Sequence, residues 1–169
     1  MNYTLMPSLE HIALVKVATT LWNQDDIRAL IEKFYSEIVS GRRIREKWQV
    51  IEDKVVEKLP QLSQPEPLKS EILGFIKPIG SQILKWLEYH IKNCQLHMKL
   101  PNLCWTPEGT VDKKKTAEVL SKDENLDITR RYELACIYCL EDDIPELWNK
   151  IPKNHRIIYY KEDPIKVCQ

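Results

Sequence analysis

Apolar residues recur at intervals of three and four along most of this 169-residue chain. That spacing gathers apolar side chains on one face of an α-helix, whereas a half-buried strand would need strict alternation. The runs begin at capping or charged residues, namely Ser8, Asp25, Arg42, Ser81 and Asp127. The sequence therefore predicts an all-α protein with at least five helices and no sheet of three or more strands.

Short polar connections between these runs favour an irregular multi-helix array of antiparallel helix pairs. Residues 25–34 also align without a gap with residues 142–151, and both segments begin with Asp-Asp-Ile. Duplication of a hairpin would give an α-solenoid-like stack. An acidic start followed by apolar spacing is equally what any helix hairpin needs, and we favour that explanation.

Caps and helix breakers set the expected helix limits. The front helices are expected over residues 8–23, from Asp25 to a C-cap at Gly41, and over 42–59. Pro78 and Gly80 predict a kink or break before a core helix over residues 81–97. Further helices are expected over 112–121, over 127–140 and from Asp142. The tail from Pro152 is expected to be irregular, and residues 157–160 are expected either to form a short strand or to dock against the helices.

The chain length suits one domain, which would bury about 70% of the surface of the unfolded chain. We therefore predict a single helical domain over residues 1–169. Residues 61–67 contain two prolines and a serine, so a subdivision near 60–67 is the alternative.

Charge and hydropathy exclude several classes of protein. Lys plus Arg equals Asp plus Glu at 25 each, so no global field attracts nucleic acid or an anionic membrane. The chain has no run near the ~18 apolar residues of a membrane helix, and its N-terminus lacks a basic signal-peptide start. We expect a soluble, cytoplasmic protein whose five cysteines are reduced.

The sharpest potential metal site combines His90, Cys94 and His97, with Cys104 beyond the helix. At about 100° per residue, the first three share one helical face, and Cys104 would complete a tetrahedral zinc site. However, Cys94 lies in the middle of the apolar arc, where a buried thiol is common, and the spacing matches no established zinc module. We therefore expect no metal and no cofactor.

The pair Cys136 and Cys139 has the CxxC spacing of redox and zinc motifs. It lies within a predicted helix, without a βαβ context or a second CxxC. We interpret both thiols, together with that of Cys94, as reduced and mostly buried.

No catalytic residue is predicted. The chain contains no Gly-rich phosphate loop, serine elbow, HExxH motif or paired-carboxylate setting, and it has only four glycines. The carboxylates at 141–143 are better explained as the start of a helix.

Two functional hypotheses remain. The first is a protein-interaction or scaffold module without catalytic activity, whose partner is another protein and whose five tryptophans are candidate anchors. The second is a small metal-binding or nucleic-acid-associated protein that uses the candidate metal ligands and the basic helix starts. Those starts are Arg42, Arg43, Arg45, Lys113, Lys114 and Lys115. Acidic neighbours within a Debye length of ~8 Å weaken each basic cluster, so the first hypothesis is favoured. Neither specifies the oligomeric state.

Purified, untagged protein is expected to carry no stoichiometric zinc, because packing already explains Cys94 and the fourth donor lies beyond the helix-breaking Pro101. Elemental analysis tests this. About one zinc per chain, lost together with stability in Cys94→Ser, would support the metal-binding alternative.

Overall fold

The computed structural model describes residues 7–38, 44–94 and 101–161, and within the helices it leaves the side chains of 35–38, 91–94, 158, 160 and 161 undescribed. The described residues form eight α-helices and one 3-10 turn and contain no strand beyond an isolated bridge between Trp105 and Val111. The helices are α1 (Leu9–Trp22), α2 (Asp25–Ile38), α3 (Ile44–Val56), α4 (Glu66–Cys94), α5 (Lys113–Ser121), α6 (Ile128–Ile137), α7 (Asp143–Lys150) and α8 (Lys153–Lys161), and the 3-10 turn is Leu59–Gln61. The all-α prediction is confirmed.

Helix starts follow the predicted capping residues. Ser8 Oγ accepts from the backbone N of His11 at 3.1 Å, and Asp112 Oδ1 accepts from that of Lys115 at 3.0 Å. Asp127 caps α6 in the same way. Asp142 is the N-cap of α7, but its side chain makes no capping hydrogen bond. The predicted C-cap at Gly41 lies outside the described residues.

The predicted break at Pro78 is wrong, because α4 runs through it as one helix of 29 residues. The alternative of a kink stays a prediction. A proline inside a helix costs about 3 kcal/mol. Burial of one large aliphatic side chain contributes roughly 1.5–3 kcal/mol, and α4 buries four isoleucines around this point. They are Ile72, Ile76, Ile79 and Ile83. Packing therefore outweighs the lost hydrogen bond, and the predicted core helix is the second half of α4.

The prediction of an irregular tail or a short strand is also wrong, because Lys153–Lys161 form α8. The alternative, that this segment docks against the helices, is confirmed for Tyr159. Arg156 donates from Nε to the carbonyl oxygen of Ile151 at 2.9 Å, and its guanidinium lies 5.2 Å from the centre of the Trp148 ring. The ring of Tyr159 packs against those of Tyr132 and Trp148. These contacts stabilise α8, which the spacing of apolar residues in this segment does not predict.

The chain separates into two compact units. The first comprises Met1–Tyr89 and His97–Val111, and the second comprises His90–Leu96 and Asp112–Gln169. Helix α4 belongs mainly to the first unit, and its last residues belong to the second. Residues 60–67 lie inside the first unit. The single domain over 1–169 and the α-solenoid-like stack remain predictions.

Aromatic packing centres the core of the first unit. The indole Nε1 of Trp22 donates to the carbonyl oxygen of Ile76 on α4 at 3.0 Å. The Trp22 ring stacks on Trp48 of α3, with ring centres 5.5 Å apart, and Trp48 contacts Phe34 of α2. These three aromatic rings therefore join α1, α2 and α3, and the hydrogen bond to Ile76 links them to α4.

A short polar chain links the three main helices of the second unit. Arg131 of α6 donates from Nε to the carbonyl oxygen of Ser121, at the end of α5, at 2.6 Å. The buried Ser121 hydroxyl donates to Oδ2 of Asp143, the first residue of α7, at 2.8 Å. Beside this chain, buried Ala117, Ala135, Leu140 and Leu147 form the apolar core.

Two glycines of α4 provide a matched test of the packing around Trp22. A Cβ at Gly80 would meet Trp22 Cη2 at 2.8 Å, whereas a Cβ at Gly74 would meet nothing within 4 Å. Gly74→Ala should stabilise the protein by ~0.5–1 kcal/mol, because alanine is the better helix former. Gly80→Ala should destabilise it by ~1–3 kcal/mol through overpacking. Urea unfolding measures both, and equal stabilisation by the two variants would contradict this packing.

Candidate functional site

An apolar groove of about 320 Å³ lies in the first unit, between the end of α3, the 3-10 turn and the start of α4. One wall is formed by Val56, Leu59 and Pro60. The other comes from α4, where residues at helical spacing place their side chains on one face. Those residues are Glu66, Lys69, Ser70 and Leu73. The groove is therefore built by the segment that joins two helices and by the first two turns of the second helix.

The two charged lining residues are already engaged with each other. Lys69 Nζ lies 3.0 Å from Glu66 Oε1 and makes a longer contact of 3.5 Å with the carbonyl oxygen of Pro60. The aliphatic stem of Lys69 is largely buried, so this residue contributes apolar surface to the wall. The groove as a whole presents mainly apolar surface with little net charge.

Leu73 presents an exposed aliphatic side chain in the groove. It is 44% exposed, whereas Leu59 opposite is buried. The volume is at the lower end of the ~300–1,000 Å³ of small-molecule sites. The groove lining holds no histidine or cysteine, and its single carboxylate is paired with Lys69. Chemically, this arrangement suits the seating of apolar side chains.

A second pocket, polar and of about 400 Å³, lies in the second unit between α5 and the turn from α6 to α7. Both charge signs line it. Its lining residues are Lys114, Glu118, Lys122, Cys139, Leu140, Glu141, Asp142 and Asp143. Asp143 already accepts a hydrogen bond from Ser121. The lysines would repel a cation and the carboxylates would repel an anion, so the pocket does not indicate one class of ligand.

Of the four candidate metal ligands, the structure describes the side chains of His90 and Cys104. His90 is 1% exposed in the second unit, and its Nε2 lies 3.0 Å from the Tyr138 hydroxyl, with the two rings stacked. Cys104 is partly buried in the first unit. The side chain of Cys94 and all of His97 lie outside the described residues. The part of the chain that the structure describes contains no group of three metal-binding side chains.

The basic helix starts are only partly described. Arg42 and Arg43 lie outside the described residues, and Arg45 is exposed in the first turn of α3. Lys113, Lys114 and Lys115 are exposed in the first turn of α5. Across the residues that the structure describes, no helix is both long enough and apolar enough to cross a bilayer.

The tryptophans divide into core and partly exposed residues. Trp22, Trp48 and Trp86 are buried, so these candidate anchors fill the core instead of a binding surface. Trp105 and Trp148 are partly exposed.

The groove itself was not predicted from the sequence. The available signal was Leu73, which follows Ile72 directly and therefore lies about 100° away from the buried face of α4.

Cys136 is buried as expected, but the expected burial of Cys139 is wrong, because that thiol is exposed. Helix α6 ends at Ile137, and Cys139 adopts a left-handed backbone conformation with φ of 50° in the following turn. A thiol reagent under native conditions should therefore label Cys139 rapidly and Cys136 slowly. Mass spectrometry of peptides distinguishes the two sites. Equal labelling rates would contradict the observed end of α6.

Comparison with known proteins gives no relative from which a function could be carried over. The chain matches no protein-family model, no curated protein and no solved structure.

Proposed function

We propose that the protein is a protein-interaction module that holds apolar side chains of another protein in the groove of the first unit. The accessible Leu73 carries this proposal, because it faces a mainly apolar groove and not bulk solvent alone. Large aliphatic side chains lower the free energy of binding when a partner covers them, by about 25 cal/mol for each Å² removed from water.

The contact surface of the partner is expected to be apolar. Lys69 and Glu66 neutralise each other at one edge of the groove, so neither requires a charged group from the partner. An isolated charge buried against the groove would lose hydration without gaining an ion pair. A neutral, aliphatic or aromatic surface is therefore the best complement.

The size of the groove favours a short helical segment as the partner. A cavity of ~150 Å³ holds one benzene-sized group, so about 320 Å³ accommodates about two such groups. Apolar side chains at positions i and i+4 of an amphipathic helix are adjacent and project from one face. Helix-in-groove binding of this kind uses apolar anchors with a polar outer face.

The alternative of a metal-binding or nucleic-acid-associated protein has no specific observation in its favour. His90 faces Tyr138, and the basic residues described on α3 and α5 are solvated helix starts. A catalytic role likewise has no supporting constellation in the groove.

Substitution of Leu73 tests the proposed function. The probe is a phage-displayed library of amphipathic helical peptides, selected on the full chain and then titrated as synthetic peptides. Leu73→Asp should weaken the selected peptides about tenfold or more, because a central apolar anchor is replaced by a charge. Leu9→Asp is the matched control, since Leu9 is 86% exposed and does not line the groove.

NMR chemical-shift mapping locates the bound peptide on the protein. Shifts should concentrate in residues 56–73 of the wild-type chain. Peptides that bind both variants as well as wild type, or whose shifts lie elsewhere, would refute the proposal. Failure of the library to yield any binder would refute the choice of a helical partner.

A further inference from the structure

A buried carboxylate lies at the junction of α3 and α4. Glu52 of α3 is only 8% exposed and shares a helical face with the buried Trp48, Ile51 and Val55. Its carboxylate approaches the backbone of α4 so closely that a Cβ at Gly80 would lie 3.3 Å from Glu52 Oε1. An acidic side chain in this position is unusual, because burial strongly disfavours its charged form.

The groups around Glu52 compensate its charge only partly. Lys77 of α4 is exposed and attracts the carboxylate through space, whereas Asp53, the next residue on α3, repels it. Helix α1 places the uncharged ring of Trp22 beside Gly80, and this ring cannot compensate the charge of Glu52. The indole of Trp48 favours the carboxylate but its buried Nε1 completes no hydrogen bond, so we regard this interaction as weak.

These groups act on the pKa in a definite direction. Burial is the largest cause and raises the pKa of the Glu52 carboxyl above its ordinary value. The charge of Lys77 and the indole of Trp48 lower that pKa, and Asp53 raises it. The net effect is a raised pKa, so the carboxyl holds its proton more strongly when it is packed against α4 than when it is exposed to water.

We propose that Glu52 is a proton-dependent latch, which holds α3 against α4 when protonated and favours separation of the two helices when ionised. Separation would let the carboxylate reach water. Val56 lies one turn beyond Glu52 and lines the groove opposite α4. The latch would therefore regulate access to the groove. Only this regulatory role rests on the proposed function, and the latch itself does not.

The pH dependence follows from linkage. The closed junction binds more protons than the open or unfolded chain, because the pKa of Glu52 is raised in the closed form. The closed form is thus most stable below the unfolded pKa, and the contribution is lost as pH rises through the folded pKa. Acidification should close the junction, and alkalinisation should loosen it.

Amide hydrogen exchange of the full chain tests the latch without any peptide. We compare wild type, Glu52→Gln and Glu57→Gln at about pH 7.5 and at about pH 4, which lies below the ordinary glutamate pKa, and correct for intrinsic exchange rates. In wild type, the opening equilibrium of α3 amides should fall severalfold at the lower pH. In Glu52→Gln, which resembles the protonated form, opening should be low at both pH values.

Glu57→Gln is the matched control, because Glu57 is an exposed glutamate near the end of α3 and pairs with Lys54. It should retain the pH dependence of wild type. A wild-type chain whose α3 opening is independent of pH would overturn the latch, even if a variant failed to fold. The same pH dependence in Glu52→Gln as in wild type would also overturn it. Neither outcome depends on peptide binding. Hydrogen exchange therefore tests the latch, and peptide titration separately tests the groove proposal.

Discussion

The placement of the Trp22 indole determines how the first unit is assembled. A tryptophan contributes a large apolar surface but must also satisfy one N–H donor when it is buried. Here the carbonyl oxygen of Ile76 accepts that hydrogen bond, and Gly80 leaves room for the ring. Because the same ring stacks on Trp48, one side chain fixes the approach of α1, α3 and α4. The walls of the groove come from two of these three helices, α3 and α4, and from the 3-10 turn between them.

Glu52 lies in the same layer as this aromatic packing, and the two have opposite effects on stability. Aromatic burial stabilises the junction, whereas an incompletely compensated carboxylate destabilises it. An apolar side chain of similar volume would avoid that penalty. A junction that carries both features would be held by aromatic packing and yet respond to proton concentration, as the proposed latch requires.

Structural features that depend on neighbouring residues could be predicted from the sequence, whereas features that depend on tertiary contacts could not. The caps at Ser8 and Asp112 depend on backbone groups three residues away, so the sequence was sufficient to predict them. Residues around Pro78 remained helical because distant side chains bury the isoleucines of α4. Likewise, α8 depends on the contacts of Arg156 with Trp148 and Ile151. The groove could not be predicted, because Leu73 lines a groove only when the end of α3 and the 3-10 turn lie opposite it, and the sequence does not give that placement.

The continuity of α4 limits how the chain can be dissected. One of the three boundaries between the two units along the chain falls between Tyr89 and His90, inside a helix and not in a loop. A cut there would expose up to four carbonyl oxygens on one fragment and four amide donors on the other, since each had its partner across the cut. Both fragments would also have new charged termini in the middle of a former helix. The two units are therefore better studied by single substitutions in the intact polypeptide than as separately expressed halves.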